Sequence, residues 1–145
     1  MKAYADTGFL CSFYSADTLT EKVETIMERQ SEPIAFTWLH QLELRNALRL
    51  RVFRKEISIS QRNASLNQLL ADLADGILEH ASPGLAETMM EAERLSTSYS
   101  EKLGTRSMDI LHVAAAVVLG IPEFLSFDKR QAALAKAAGL KVKSF

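Results

Sequence analysis

A chain of 145 residues, 48% apolar and 24% charged, has the size and composition of one globular domain with a sizeable core. Its net charge of −1 gives no global pull toward nucleic acid or membrane, so any polyanion must be met by a local cluster of cations. The longest apolar run, residues 113–119, is too short to span a bilayer, Asp6 falls where a signal core would lie, and Cys11 is the single cysteine. These features exclude a disulfide framework and a thiolate metal site, and they predict a soluble protein of a reducing cytoplasm with Cys11 in its core.

Residues 2–5 read as a strand, with Tyr4 the best strand former, and Asp6-Thr7-Gly8 interrupts it ahead of a short helix over residues 9–14. Leu19, Val23, Ile26 and Met27 recur at helical spacing within residues 16–32. Pro33 ends that helix, residues 33–36 form a second strand, and Thr37 caps a long helix reaching about Arg54. Residues 57–75 are helical, with Leu66, Leu69, Leu70 and Leu73 on one face, and Gly76 stops them before a third strand over residues 77–81. Pro83 opens a helix to about Leu103, broken by Gly104, and residues 107–119 form a buried helix stopped by Gly120 and Pro122. Residues 124–127 make a fourth strand ending on Asp128, residues 129–138 a helix closed by Gly139, and residues 140–145 a last strand. Strands alternating with helices predict a single α/β domain over residues 1–145, built on a parallel sheet of four or five short strands. In such sheets the ligand site lies at the carboxyl ends of the strands, where Asp6 and Asp128 stand.

Two further acids fall on helix faces that also carry apolar residues. Glu43 shares a stripe with Leu39, Leu42, Asn46, Leu50 and Phe53, where an ionised side chain needs compensation and where Asn46 adds a second polar group. Asp109 shares a face with Val113, Ala116 and Gly120 in a helix whose small alanines imply close packing. Each acid has a structural explanation when taken alone. Glu43 could belong to a buried ion pair, Asp109 sits in a first helical turn favoured by the helix dipole, and Asp6 and Asp128 precede helices as caps. Asp128-Lys129-Arg130-Gln131 is moreover a capping-box pattern. Four acids from four separate elements are harder to account for in that way.

Ala5-Asp6-Thr7-Gly8-Phe9-Leu10, Glu43-Leu44-Arg45-Asn46-Ala47-Leu48, Asp109-Ile110-Leu111-His112-Val113-Ala114-Ala115-Ala116 and Leu125-Ser126-Phe127-Asp128 together resemble the four signatures of PIN-domain nucleases, most of all the VapC-type toxins. The resemblance covers the whole chain in order, spacing and length. It implies a three-layer α/β/α domain with a central, mainly parallel sheet and a pocket in which the acids bind Mg²⁺ or Mn²⁺. By that likeness Asp6, Glu43 and Asp109 are the core catalytic and metal-binding residues, and Asp128 completes the quartet. Thr7 matches the hydroxyl residue that follows the first Asp, and Ser126 stands where the family often has Thr. The implied activity is endoribonucleolytic, with a metal-activated water hydrolysing the phosphodiester to leave a 5′-phosphate and a 3′-hydroxyl. Many relatives are homodimers silenced by an antitoxin protein.

The remaining signals fit around that pocket. Arg45 and Arg106, with Lys129 and Arg130, lie close in sequence to the acids and would hold an RNA backbone, whereas Arg49 and Arg51 read equally well as a solvated helix face. His112 reads as a packed residue supporting the site rather than a ligand, and His40 and His80 carry no signal. Leu44, Leu48 and Val52 form a second apolar stripe opposite Glu43, so that helix is either sandwiched or faces a partner. Asp6-Thr7-Gly8 is also the aspartic-protease triplet, but that chemistry needs two such loops in a β-rich fold, and a receiver-type domain needs paired acids near the first strand. The main rival is a PIN-like module that binds RNA or protein without cleaving.

Overall fold

The structure, a computed structural model, describes residues 1–143. β1 (Ala3–Ala5) leads into α1 (Thr7–Tyr14) and α2 (Thr20–Glu28), followed by β2 (Ile34–Phe36), α3 (Trp38–Phe53) and α4 (Ile59–Ala74). β3 (Leu78–His80) precedes α5 (Leu85–Leu95), which continues through a π turn (Ser96–Ser100) into α6 (Glu101–Leu103). The chain then forms α7 (Ser107–Val118), β4 (Glu123–Leu125), α8 (Lys129–Ala137) and β5 (Lys141–Val142). Ser144 and Phe145, placed by sequence in the last strand, lie outside the described residues.

The strands pair in parallel, but the ladder is broken in the middle. β1, β4 and β5 form one sheet in the order β1-β4-β5, with Tyr4 opposite Phe124, and β2 and β3 form a second. β2 lies beside β1 without a backbone ladder between them. Alternate strand residues serve two cores. Ala3, Ala5, Ile34, Phe36 and Leu125 meet Phe9, Leu10, Leu44, Leu48 and Leu69 on one side, while Tyr4, Ala35 and Phe124 meet Leu95, Val113, Leu134 and their neighbours on the other. Helices therefore cover both faces, giving the α/β/α arrangement expected.

Several boundaries differ for visible reasons. α2 starts only at Thr20, because the Asp17 amide bonds the Thr20 hydroxyl and Thr20 Oγ1 donates to Ser12 O, forming a turn in place of a helical one. The helix predicted to reach Leu103 does so through the π turn and ends at Gly104, whose φ of 65° suits a residue without a side chain. Thr7 and Gly8 belong to the first turn of α1. β4 ends at Leu125, so Asp128 caps α8 from a short loop rather than closing the strand.

The largest revision concerns α3. In the stripe around Glu43, Leu39 is buried but Leu42, Leu50 and Phe53 are exposed, Phe53 at 82%, whereas Leu44 and Leu48 opposite are fully buried. The stripe opposite Glu43 is thus the one that enters the core. Among the described residues no helix is long and apolar enough to cross a membrane.

Candidate active site

Asp6 leaves the end of β1 with its amide still in register, donating to Leu125 O at 3.0 Å. Its side chain caps α1 by accepting from Phe9 N at 2.7 Å, and its second oxygen takes a short hydrogen bond from the Ser126 hydroxyl. Ser126 Oγ also accepts from Asp128 N at 3.0 Å, so one hydroxyl joins the two strand ends. Asp6 is buried, and no Lys or Arg pairs with it among the described residues. Burial pushes its carboxyl up to about 6, against the opposing hydrogen bonds from Ser126 and Phe9 and the neighbouring His112.

Glu43 projects from α3 half-buried, and His112 Nε2 meets its Oε1 at 2.7 Å. Burial alone would raise this carboxyl, but hydrogen bonds from His112 and Thr7 outweigh it and hold Glu43 below the usual range. Asp109, in the first turn of α7, pairs with Arg106 Nε at 3.3 Å, and its backbone oxygen accepts from Gln131 Nε2 at 3.4 Å. Asp128 is exposed and caps α8, its Oδ1 accepting from Arg130 N at 2.9 Å and Gln131 N at 3.0 Å.

Behind the acids lies a set of rings that the sequence did not disclose. His40 is completely buried, its Nδ1 accepting from Thr37 N at 3.0 Å and its Nε2 donating to Ala5 O at 2.7 Å. Thr37 and His40 thereby make a capping box in which a histidine replaces the usual Glu or Gln. That ring bridges Ala5 at the end of β1 and Thr37 just after β2, and its burial pushes its pKa down to about 3, so it is neutral. The Thr37-to-His40 spacing at a predicted helix start is the one signal that would have found it.

The four acids line a single cavity of about 470 Å³, together with Thr7, Arg51, Arg54, Arg106, Phe127 and Gln131 among others. A second cavity of about 420 Å³ shares Arg106, Asp109 and Asp128 and adds Lys129 and Arg130. A cavity at the carboxyl ends of parallel strands, lined by acids from β1, α3, α7 and the loop after β4, is where this topology is expected to bind a ligand. A family model for the PIN domain matches residues 3–137. The chain belongs to the PIN domain family.

Solved PIN-domain structures agree in fold. The sarcin-ricin loop cleaving toxin VapC20 of Mycobacterium tuberculosis is 14% identical, with a TM-score of 0.70 and 96% of each chain covered. VapBC2 of Rickettsia felis, bound to a DNA fragment from its promoter, is 15% identical, with a TM-score of 0.66 over 99% of this chain and 98% of that one. FitAcB of Neisseria gonorrhoeae is 16% identical, with a TM-score of 0.67 over 98% of this chain and 96% of that one. No curated protein sequence matches.

Within this PIN domain, Asp6, Glu43, Asp109, Asp128, Thr7 and Arg106 line the main cavity, and Lys129 and Arg130 the adjoining one. Ser126 stands just behind, on Asp6. Asn46, one helical turn from Glu43, is exposed, and neither it nor Arg45 lines either cavity. Arg51, which the sequence left open between backbone contact and a solvated face, lines the cavity, anchored by Ser15 O at 3.1 Å and Asp17 at 2.8 Å. The donor chemistry suits a hard divalent cation, since all four acids offer oxygen and Asp6 is a desolvated carboxylate without a cationic partner. Their spacing is wider than a closed cage. Among the described residues no three His, Cys, Asp or Glu side chains stand near enough to share one ion. Mg²⁺ commonly keeps several waters and uses one or two carboxylates, so the set fits that cation without full convergence.

Proposed function

We propose that this protein is a Mg²⁺- or Mn²⁺-dependent endoribonuclease, the toxin of a toxin–antitoxin pair. The observation that carries the reading is the gathering of Asp6, Glu43, Asp109 and Asp128 into one cavity with Asp6 desolvated. In this reading one or two of Asp6, Glu43 and Asp109 hold the cation directly, the remaining acids act through its bound waters, and Asp128 completes the set from its helix cap. Ser126 and Thr7 fix the carboxylates of Asp6 and Glu43 by hydrogen bonds. A bound divalent ion supplies activation of a water nucleophile and neutralisation of charge at the scissile phosphate. Arg106, Lys129 and Arg130 hold the flanking backbone in the adjoining cavity, leaving Arg45 and Asn46 no direct role.

The likeness to VapBC2 and FitAcB supports an antitoxin protein as partner; a homodimer as the working form and a single domain acting in the cytoplasm belong to the same proposal. A second reading, a PIN-like module that binds RNA or protein without cleaving it, is favoured by the wide spacing of the acids. Incubation of single-stranded RNA with the protein and Mg²⁺ or Mn²⁺, set against EDTA and against Asp6→Asn and Asp109→Asn, separates the two. Cleavage lost in all three controls supports the nuclease. An identical product pattern in wild type and variants, or no cleavage by wild type, leaves the binding module.

A further inference from the structure

His112 and Tyr4 line neither of the two acid-bearing cavities, yet both are arranged around Glu43. A carboxylate accepts hydrogen bonds and cannot donate when ionised, so His112 Nε2, 2.7 Å from Glu43 Oε1, carries a proton in either charge state of the ring. The same nitrogen lies 3.1 Å from Thr7 Oγ1, and the opposite nitrogen, Nδ1, lies 2.8 Å from the Tyr4 hydroxyl. Tyr4 cannot move to release the ring. It is fully buried in β1, stacked on Phe124 of the neighbouring strand at 5.6 Å and 9°, and edge-on to His112 at 5.7 Å.

A glutamate on a half-exposed helix face has several rotamers of similar energy, and ordering it costs entropy. Here the rotamer is chosen from outside its own helix, by a ring on α7 that is itself held from β1. We infer that His112, locked by Tyr4, is a positioning residue that aims Glu43 into the acidic cavity and so sets how tightly the site holds a divalent cation. The inference rests on the nuclease reading above, and it concerns two residues which that reading leaves without a role.

The test is calorimetric titration of the metal-free full-length protein with Mn²⁺, paired with RNA cleavage over a range of Mn²⁺ concentrations. His112→Ala is expected to weaken Mn²⁺ binding roughly 10–100-fold, the usual cost of losing the partner that orients a metal ligand. Tyr4→Phe, which keeps the stacked ring, is expected to weaken it by roughly fivefold, the scale of one hydrogen bond. Excess Mn²⁺ should restore cleavage by Tyr4→Phe and leave Asp6→Asn inactive. In the His112→Ala background Tyr4→Phe should have no further effect on Mn²⁺ affinity, because its influence passes through the ring.

Tyr14→Phe serves as the control for general destabilisation, since its hydroxyl binds Asp72 at 2.7 Å in the other core. It should lower thermal stability and leave Mn²⁺ affinity unchanged. If His112→Ala does not fold, Tyr4→Phe and His112→Gln decide. Folded variants that bind Mn²⁺ as wild type does, or a Tyr4→Phe loss that persists without His112, overturn the inference while the nuclease reading stands. A wild-type protein that neither binds Mn²⁺ nor cleaves removes both.

Discussion

The two halves of the acidic cavity are built by different physics. Asp6 and Glu43 are partly or wholly removed from water, and each is held by side chains from distant parts of the chain, Ser126 for one and His112 for the other. Asp109, whose side chain is 19% exposed against 29% for Glu43, and the exposed Asp128 stand instead at helix starts, which account for much of their geometry. An acid that caps an exposed helix stabilises the fold whether or not a ligand comes. An acid pushed up to about 6 by burial opposes folding at neutral pH, a cost that the proposed ligand-binding role offsets.

Neutralising the inner half should give the largest effects. Asp6→Asn keeps an N-cap residue of equal quality, so α1 is preserved while the desolvated charge is removed. RNA cleavage is expected to fall at least about a hundredfold, or roughly 3 kcal/mol in barrier, as measured by single-turnover kinetics. The metal-free protein should become more stable at pH 7, by about 1–3 kcal/mol in urea unfolding, given a carboxyl raised from 3.8 to about 6. A stability equal to or below that of wild type would show that Asp6 is a structural cap and nothing else.

The same comparison predicts an acid limb made of two opposing groups. A raised carboxyl such as Asp6 contributes stability that is full below its unfolded pKa of 3.8 and is lost as pH rises through about 6. A depressed imidazole such as His40 contributes stability that is full above its unfolded pKa of 6.5 and is lost as pH falls toward about 3. Between about pH 4 and 6 these slopes oppose one another, so the melting temperature of wild type should fall less steeply with acid than that of Asp6→Asn. Parallel curves for the two proteins would contradict the assignment.

The outer half should respond more weakly, and cap and charge can be separated at Asp128. Asp128→Ala is expected to lose about 1 kcal/mol of stability with the cap, whereas Asp128→Asn keeps stability within about 0.5 kcal/mol. If Asp128 also serves the cation, both lose cleavage; if it is a cap alone, Asp128→Asn cleaves as wild type does. The smallest effect belongs to the rim. Arg106→Ala should reduce the salt dependence of RNA binding by roughly 0.7 in the log–log slope, one phosphate contact on a single strand, while Arg45→Ala leaves the slope unchanged. An equal change in both would place the backbone path elsewhere.

How much of this was legible in the sequence depended on the range of the interactions involved. Period and punctuation delivered the order of strands and helices, because Pro33, Gly76, Gly104 and Gly120 act locally. The four acids were readable as a set, since their positions relative to those elements brought them to one end of a parallel sheet. Glu43 was selected on a mistaken premise. Of its stripe only Leu39 is buried, and the clearest mark on Glu43 comes from His112, 69 residues away in sequence. His40 left only its spacing from Thr37 as a signal, because its other partner, at Ala5, is a backbone oxygen that leaves no mark on residue choice. Arg45 and Asn46 show that closeness to an acid along a helix does not by itself bring a residue into the cavity the acid lines.

The break between β1 and β2 has a consequence for how the molecule opens. A continuous parallel sheet would transmit cooperativity through its backbone ladder, but here one buried imidazole bridges the end of β1 and the residue just after β2. Amide hydrogen exchange should therefore divide the molecule, with β2 and β3 exchanging as one unit and β1, β4 and β5 as another. Replacing His40 should widen the gap between the two rates before it lowers the stability of either. The first acid of the cavity belongs to the β1 unit and the helix of the second follows β2, so any such opening draws Asp6 and Glu43 apart.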